Sequence, residues 1–241
     1  MTAELLKLRA TRGTWGLGAA AVAAAAALVG IELATSSDRD LRGEAALREV
    51  LPPTGSAAAL FALVLGILAV TAEYRHRTVW QSFTSARSRG EAVTARTLAC
   101  AAGGVLLGLV ALALAYAIAA IWMDSRDLGV SLADPPAAGI AGGSLAACAL
   151  LGVAGAGLGE IVRLQGAALA AGVGWVLIVD TVLVRTVPEV GRFSPWGAQA
   201  ALAGHEGDEL VSTAAGGLLL LCYAALLVAA AVRLAGRRDV V

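Results

Sequence analysis

The sequence predicts an all-α polytopic membrane protein with six transmembrane helices, and three observations predict it. Its 241 residues are 59% hydrophobic and 15% charged, with a mean hydropathy of +0.79. Ordinary globular chains are roughly 45 to 50% apolar and about 25% charged. The apolar residues gather in six windows, each close to the ~20 residues that one crossing requires. Within the windows they run continuously instead of alternating, which excludes a β-barrel.

In chain order the windows are Trp15 to Ala34, Ser56 to Ala72, Thr97 to Ile121, Ala137 to Gly159, Ala167 to Val187, and Ser212 to Val232. They make one transmembrane domain over residues 1–241. Lys7, Arg9 and Arg12 precede the first window like a signal-peptide leader. The apolar run exceeds the roughly 7 to 15 residues of a signal-peptide core, so it counts as a helix of the mature chain. Residues 1–12 alternate leucines with Glu4, Lys7 and Arg9, which suits an interfacial helix, or else a basic leader that only sets topology.

The fourth window carries Gly139, Gly142, Gly143, Gly152, Gly155, Gly157 and Gly159, and has few residues to offer lipid. Such a flat helix belongs inside a bundle. Gly104 to Gly108 and Gly155 to Gly159 match the G-x-x-x-G spacing for close helix approach, a match that 29 glycines also produce by chance. Residues 188–211 contain Phe193, Pro195 and Trp196, which suit either a short re-entrant or interfacial element or a plain external loop.

Charge orients the windows. The N-terminus, the loop from Glu73 to Arg96, the turn at Arg163 and the C-terminus share 12 basic and 5 acidic residues; the opposite side has 6 basic and 13 acidic. Positive-inside bias places both termini in the cytoplasm, and an even number of crossings agrees in putting them on one side. Arginine outnumbers lysine 17 to 1, which reads as the coding bias of a GC-rich bacterium and places the chain in a bacterial cell membrane. The net charge of zero gives no sign of a nucleic-acid partner.

Chemistry is sparse. Cys100, Cys148 and Cys222 lie inside apolar runs without C-x-x-C spacing and read as small packing residues, so neither a disulfide framework nor a metal site is expected. His76 and His205 fall on opposite sides of the membrane, which separates them from any shared catalytic site, and no H-E-x-x-H helix is present. The sole lysine, Lys7, is in the leader, so no P-loop exists, and ATP-driven work would need a second polypeptide. The chain is not expected to be an enzyme by itself.

Asp180 is the deepest ionisable residue and thus a candidate for the substrate path. An aspartate at a helix centre costs about 2.5 to 3.5 kcal/mol, while the ten Leu, Ile and Val residues of its window contribute roughly −3 to −6 kcal/mol together. The helix can therefore carry Asp180 as a passenger. With no charged companion at its depth, a structural bond to a neighbouring helix is the stronger expectation.

The loop after the second window reads EYRHRTVWQSFTSARSRGEAVTARTLA from Glu73. As a helix it places Val79, Trp80 and Phe83 in one apolar patch flanked by Arg75, Arg77, Arg87 and Arg89. The patch suits either a lipid-surface anchor or a docking helix for a cytoplasmic protein.

At this point the chain resembles the membrane-spanning permease subunit of type-2 ATP-binding-cassette exporters. That family carries a Glu after its second helix, then Gly-Thr, a Leu or Phe, a Pro, an Arg, and a further basic residue entering the third helix. Glu73, Thr78, Phe83, Arg89 and Arg96 stand at those places, with Arg77 replacing the Gly and Ala86 the Pro. The six-helix layout and the cytoplasmic turn at Arg163 extend the likeness over the whole chain.

The resemblance implies that residues 73–96 form a coupling helix seated in a groove of a separate ATPase subunit, which would hold ATP and magnesium. Val79, Trp80 and Phe83 would be its anchors, and Glu73, Arg75, Thr78 and Arg89 its polar contacts. The permease would work as a dimer with a second copy or a paralogue, in contact with membrane lipid. Two other classes stay open: a stand-alone secondary carrier or channel, and a membrane scaffold that recruits cytoplasmic partners through the same loop. The first needs paired intramembrane charges or two matching broken helices, which the sequence does not display clearly.

Overall fold

A computed structural model describes residues 12–35, 45–75, 89–125, 135–205, 207 and 210–237. Every regular element among them is helical. Helix α1 spans Arg12–Thr35, α2 Ala45–Arg75, α3 Arg89–Asp124 and α4 Pro135–Val162. The chain continues through α5 (Gln165–Gly174), a π-helical turn (Trp175–Asp180), α6 (Thr181–Thr186), α7 (Pro188–Gly191) and α8 (Pro195–Leu202), and ends with α9 (Thr213–Arg237). Residues 1–11 of the expected interfacial helix lie outside the described residues, as do residues 76–88 of the loop.

Five helices are long and apolar enough to cross a membrane: Gly16–Thr35, Val50–Arg75, Gly90–Asp124, Ala137–Val162 and Thr213–Gly236. The fifth apolar window differs, forming consecutive helical pieces of 10, 6 and 6 residues with the π-turn in the middle. Helix α2 starts at Ala45, well before the window expected from Ser56, and takes Pro52 and Pro53 into its interior. Prolines cost interior helical bonds. Here the hydroxyl of Thr54 donates to the carbonyl of Val50 (2.9 Å), and Val50 and Leu51 are buried against Val29 and Leu33 of α1 and Leu112 of α3. Packing therefore holds a turn that local propensity would break.

Helix α4 lies in the interior, touching α2, α3, α8 and α9. In its most apolar stretch 56% is buried within the chain, and 61% in α2, against 22% in each of α1 and α9, which leaves those two largely exposed. The small residues explain the position. A methyl group on Gly152 would lie 2.7 Å from the Cys100 carbonyl of α3, so only glycine lets these backbones meet. Both G-x-x-x-G matches sit at such contacts: Gly104 and Gly108 against Cys148, and Gly155 and Gly159 against α2.

The helices alternate in direction. Val29, Leu33, Val50, Met123 and Ala137 cluster at one end, while Val93, Ala231 and Ala235 pack with Ile161 at the other. Helix α4 thus finishes at the end where Arg96 lies, and α9 starts at the opposite end. The run from Gln165 to Thr186 carries the chain between them.

Candidate functional site

The last turn of α2, the second turn of α3 and the last turn of α4 meet at one end of the bundle, and each brings a charge. Arg96 of α3 is buried, with 3% of its surface exposed, as is Glu160 of α4 with 2%. One Nη of Arg96 lies 2.9 Å from Oε2 of Glu73 on α2; the other donates to Oε1 of Glu160. The Tyr74 hydroxyl donates to the second oxygen of Glu160 at 2.5 Å. One guanidinium therefore ties three helices, and α2 is bound twice.

The turn that follows α4 closes over this cluster. The Arg163 amide donates to the Gly159 carbonyl (2.8 Å), and Arg163 then adopts a left-handed backbone at φ 61°, which ends the helix. For a residue with a side chain this costs roughly 1 to 2 kcal/mol. The guanidinium is held 5.1 Å from the centre of the Tyr74 ring, at cation–π distance. Arg75 reaches over the turn to donate to the Gln165 side chain of α5 at 3.2 Å. Arg96 lies between the two acids and Arg163 on the adjoining Tyr74 ring, and such pairing of opposite charges is the condition for burying them.

Among the expected site residues, Glu73 and Arg75 belong to this cluster. Arg89 opens α3. Thr78, Val79, Trp80 and Phe83 lie outside the described residues. Asp180 is elsewhere, at the end of the π-turn and fully buried. Its Oδ1 accepts from the Trp175 indole N–H (3.0 Å), and its Oδ2 from the backbone N–H of Trp196 in the first turn of α8 (2.9 Å). A π-turn stacks residues five apart, which brings Trp175 over Asp180.

The sequence reading did not assign Tyr74, Glu160 or Arg163 to the site, and used Arg96 only as a family position. A signal for them existed: Glu73, Arg96, Glu160 and Arg163 all sit at ends of apolar windows that charge assigns to one side, hence at one depth. Among the described residues, no group of three or more His, Cys, Asp or Glu side chains is placed to hold a metal ion. The cluster brings together groups that bind one another, and it does so where the chain leaves α2 and re-enters at α3. Mechanically it is a clasp across both roots of the 76–88 segment. Compared with known families and curated proteins, the chain matches no family model and no curated sequence.

Proposed function

We propose that the chain is the membrane-spanning permease subunit of a type-2 ATP-binding-cassette exporter, driven by a separate ATPase that seats on residues 73–96. The observation that carries this reading is the Arg96 clasp. Glu73 and Arg96 are two of the residues on which the resemblance rests, and they are in contact at 2.9 Å. A force applied to the segment between them is delivered to α2 and α3 together, and through Glu160 to α4. A loop that merely floated on lipid would gain nothing from such a joint, whereas a loop pushed by a nucleotide-driven partner needs one. ATP binding would close the ATPase dimer, and the rigid α2–α3–α4 unit would change access to a path between two permease copies.

In this reading the run from Gln165 to Thr186 is a sixth crossing. At about 1.5 Å per residue it is roughly 30 Å long, the thickness of the hydrocarbon core. Both termini are then cytoplasmic in a bacterial cell membrane, and Arg96 lies on the cytoplasmic side. Helices α7 and α8 form the external cap.

The test is co-purification. Trp80→Ala with Phe83→Ala removes two aromatic anchors, each worth about 2 kcal/mol or more at a protein interface. The double variant is expected to insert and fold but to lose its ATPase and its transport. Retention of an equimolar ATPase by this variant, or the absence of any ATPase on the unmodified chain, overturns the proposal.

A further inference from the structure

Helices α2 and α4 lie in parallel contact, from Gly55 beside Ser144 to Val70 beside Gly159. At the Gly159 end the Arg96 guanidinium ties them through Glu73 and Glu160. At the Gly55 end three neutral polar side chains meet: Ser56 of α2, Ser144 of α4 and Gln199 of α8. Gln199 Nε2 donates to the Ser56 hydroxyl at 3.1 Å, and the Ser144 oxygen stands where a side chain on Gly55 would be. The Leu202 carbonyl of α8 lies against Gly143, so this short helix is pressed onto the same part of α4.

Ser144 and Gln199 are both 0% exposed, yet Ser144 Oγ and Gln199 Oε1 have no hydrogen-bond partner among the described residues. Turning the Gln199 amide over changes nothing, because Ser56 would then donate to Oε1 and leave the amide nitrogen over in its place. A buried hydroxyl on a helix can satisfy itself on the carbonyl four residues back, as Thr54 does with Val50 (2.9 Å) and Thr71 with Ile67 (2.7 Å). The Ser144 hydroxyl makes no such bond; it is turned across to α2. The other polar groups that seat α8 are engaged: Ser194 Oγ accepts from Gly197 at 3.1 Å, and the Asp180 carboxylate from Trp175 and Trp196. Each buried polar group left over lowers the folded population roughly five- to a hundredfold. Two of them on one stretch of α2 call for a common partner.

From these two buried polar atoms, turned to the same stretch of α2, we infer that α2, α4 and α8 enclose a binding site for one water molecule. The water donates to Gln199 Oε1 and accepts from the Ser144 hydroxyl, with Ser56 beside it. Three neutral side chains are too few to replace the hydration of a metal cation, whereas a buried water takes two to four polar partners. Helices α2 and α4 are then joined at one end by charge and at the other through water. The site does not depend on an ATPase, and it stands whether or not the chain is an exporter.

The test uses the full chain in detergent micelles without nucleotide or partner, and it turns on a sign. If Ser144 Oγ were simply unpartnered, Ser144→Ala would remove a buried unsatisfied group and leave the melting midpoint unchanged or raise it. With the water bound, the same change breaks a bridge, and the midpoint is expected to fall by about 2 to 4 °C. Gln199→Met, which keeps the bulk and loses the amide, should lower it at least as far. Nuclear magnetic resonance supplies a second measure: cross-relaxation between water and the Gln199 side-chain amide protons is expected in the unmodified chain and lost in Ser144→Ala. A midpoint that Ser144→Ala raises or leaves unchanged overturns the site, as does the absence of water contact at Gln199 in the unmodified chain. A midpoint that rises with sodium but not with choline assigns the space to a cation and overturns the water.

Discussion

The chemistry at single residues is decided by which buried polar groups find partners. Removing Arg96 leaves Glu73 and Glu160 facing each other without their cation, and breaking a buried pair in this way costs about 3 to 5 kcal/mol. Arg96→Met is therefore expected to lower the thermal midpoint in detergent sharply. Arg96→Met combined with Glu73→Gln and Glu160→Gln should recover most of that loss, because the uncompensated charge disappears. A triple variant no more stable than the single one would mean that the arginine stem, not its charge, holds the three helices. Asp180 illustrates the converse. Among the described residues it is held by neutral donors, chiefly an indole N–H and a backbone N–H five and sixteen residues away. Neither donor is visible as a charge, and the second exists only because α8 comes to rest there.

Among the elements, α4 is the one whose placement composition dictates most directly: seven glycines in a single apolar window leave a helix too smooth for lipid and fit for close contact. Gly152→Val would force the α3 and α4 backbones apart at the Cys100 carbonyl, where a methyl already falls at 2.7 Å. Overpacking of this kind costs typically about 1 to 3 kcal/mol. Gly139 and Gly142 have open space around them, so alanine there should be neutral. Size-exclusion profiles and melting of the three variants check the contrast; equal damage from all three would place α4 differently. The interrupted fifth window is harder to read from sequence. A continuous apolar run carries no mark of where the helix widens into a π-turn, and the reason for the turn lies in Trp175, Asp180 and Trp196 meeting in space. Likewise the early start of α2 contradicts what Pro52 and Pro53 suggest locally, and burial of Val50 and Leu51 against α1 and α3 outweighs their cost.

For the molecule as a whole, membrane topology decides which side a partner can reach. With six crossings and cytoplasmic termini, single cysteines at Ser37 and Gly207 in a cysteine-free background should be modified from outside the cell, and one at Ser85 should not. The opposite pattern would invert the membrane orientation and place the Arg96 clasp outside, away from any ATPase. By itself the sequence determined that this is a multi-pass helical membrane protein, roughly where its long helices lie, and which of them is buried. Those properties follow from composition and run length, which lipid reads directly: about 20 apolar residues must cross, and small residues must pack. Only the tertiary structure decided that Glu73, Tyr74, Arg96, Glu160 and Arg163 form one joint, and that Asp180 and Gln199 hold a short helix at the opposite end. The residues of the joint are separated by up to 90 positions in the chain, and no local pattern records a pairing whose energy arises when three helices bring opposite charges to the same depth in a medium that cannot solvate them.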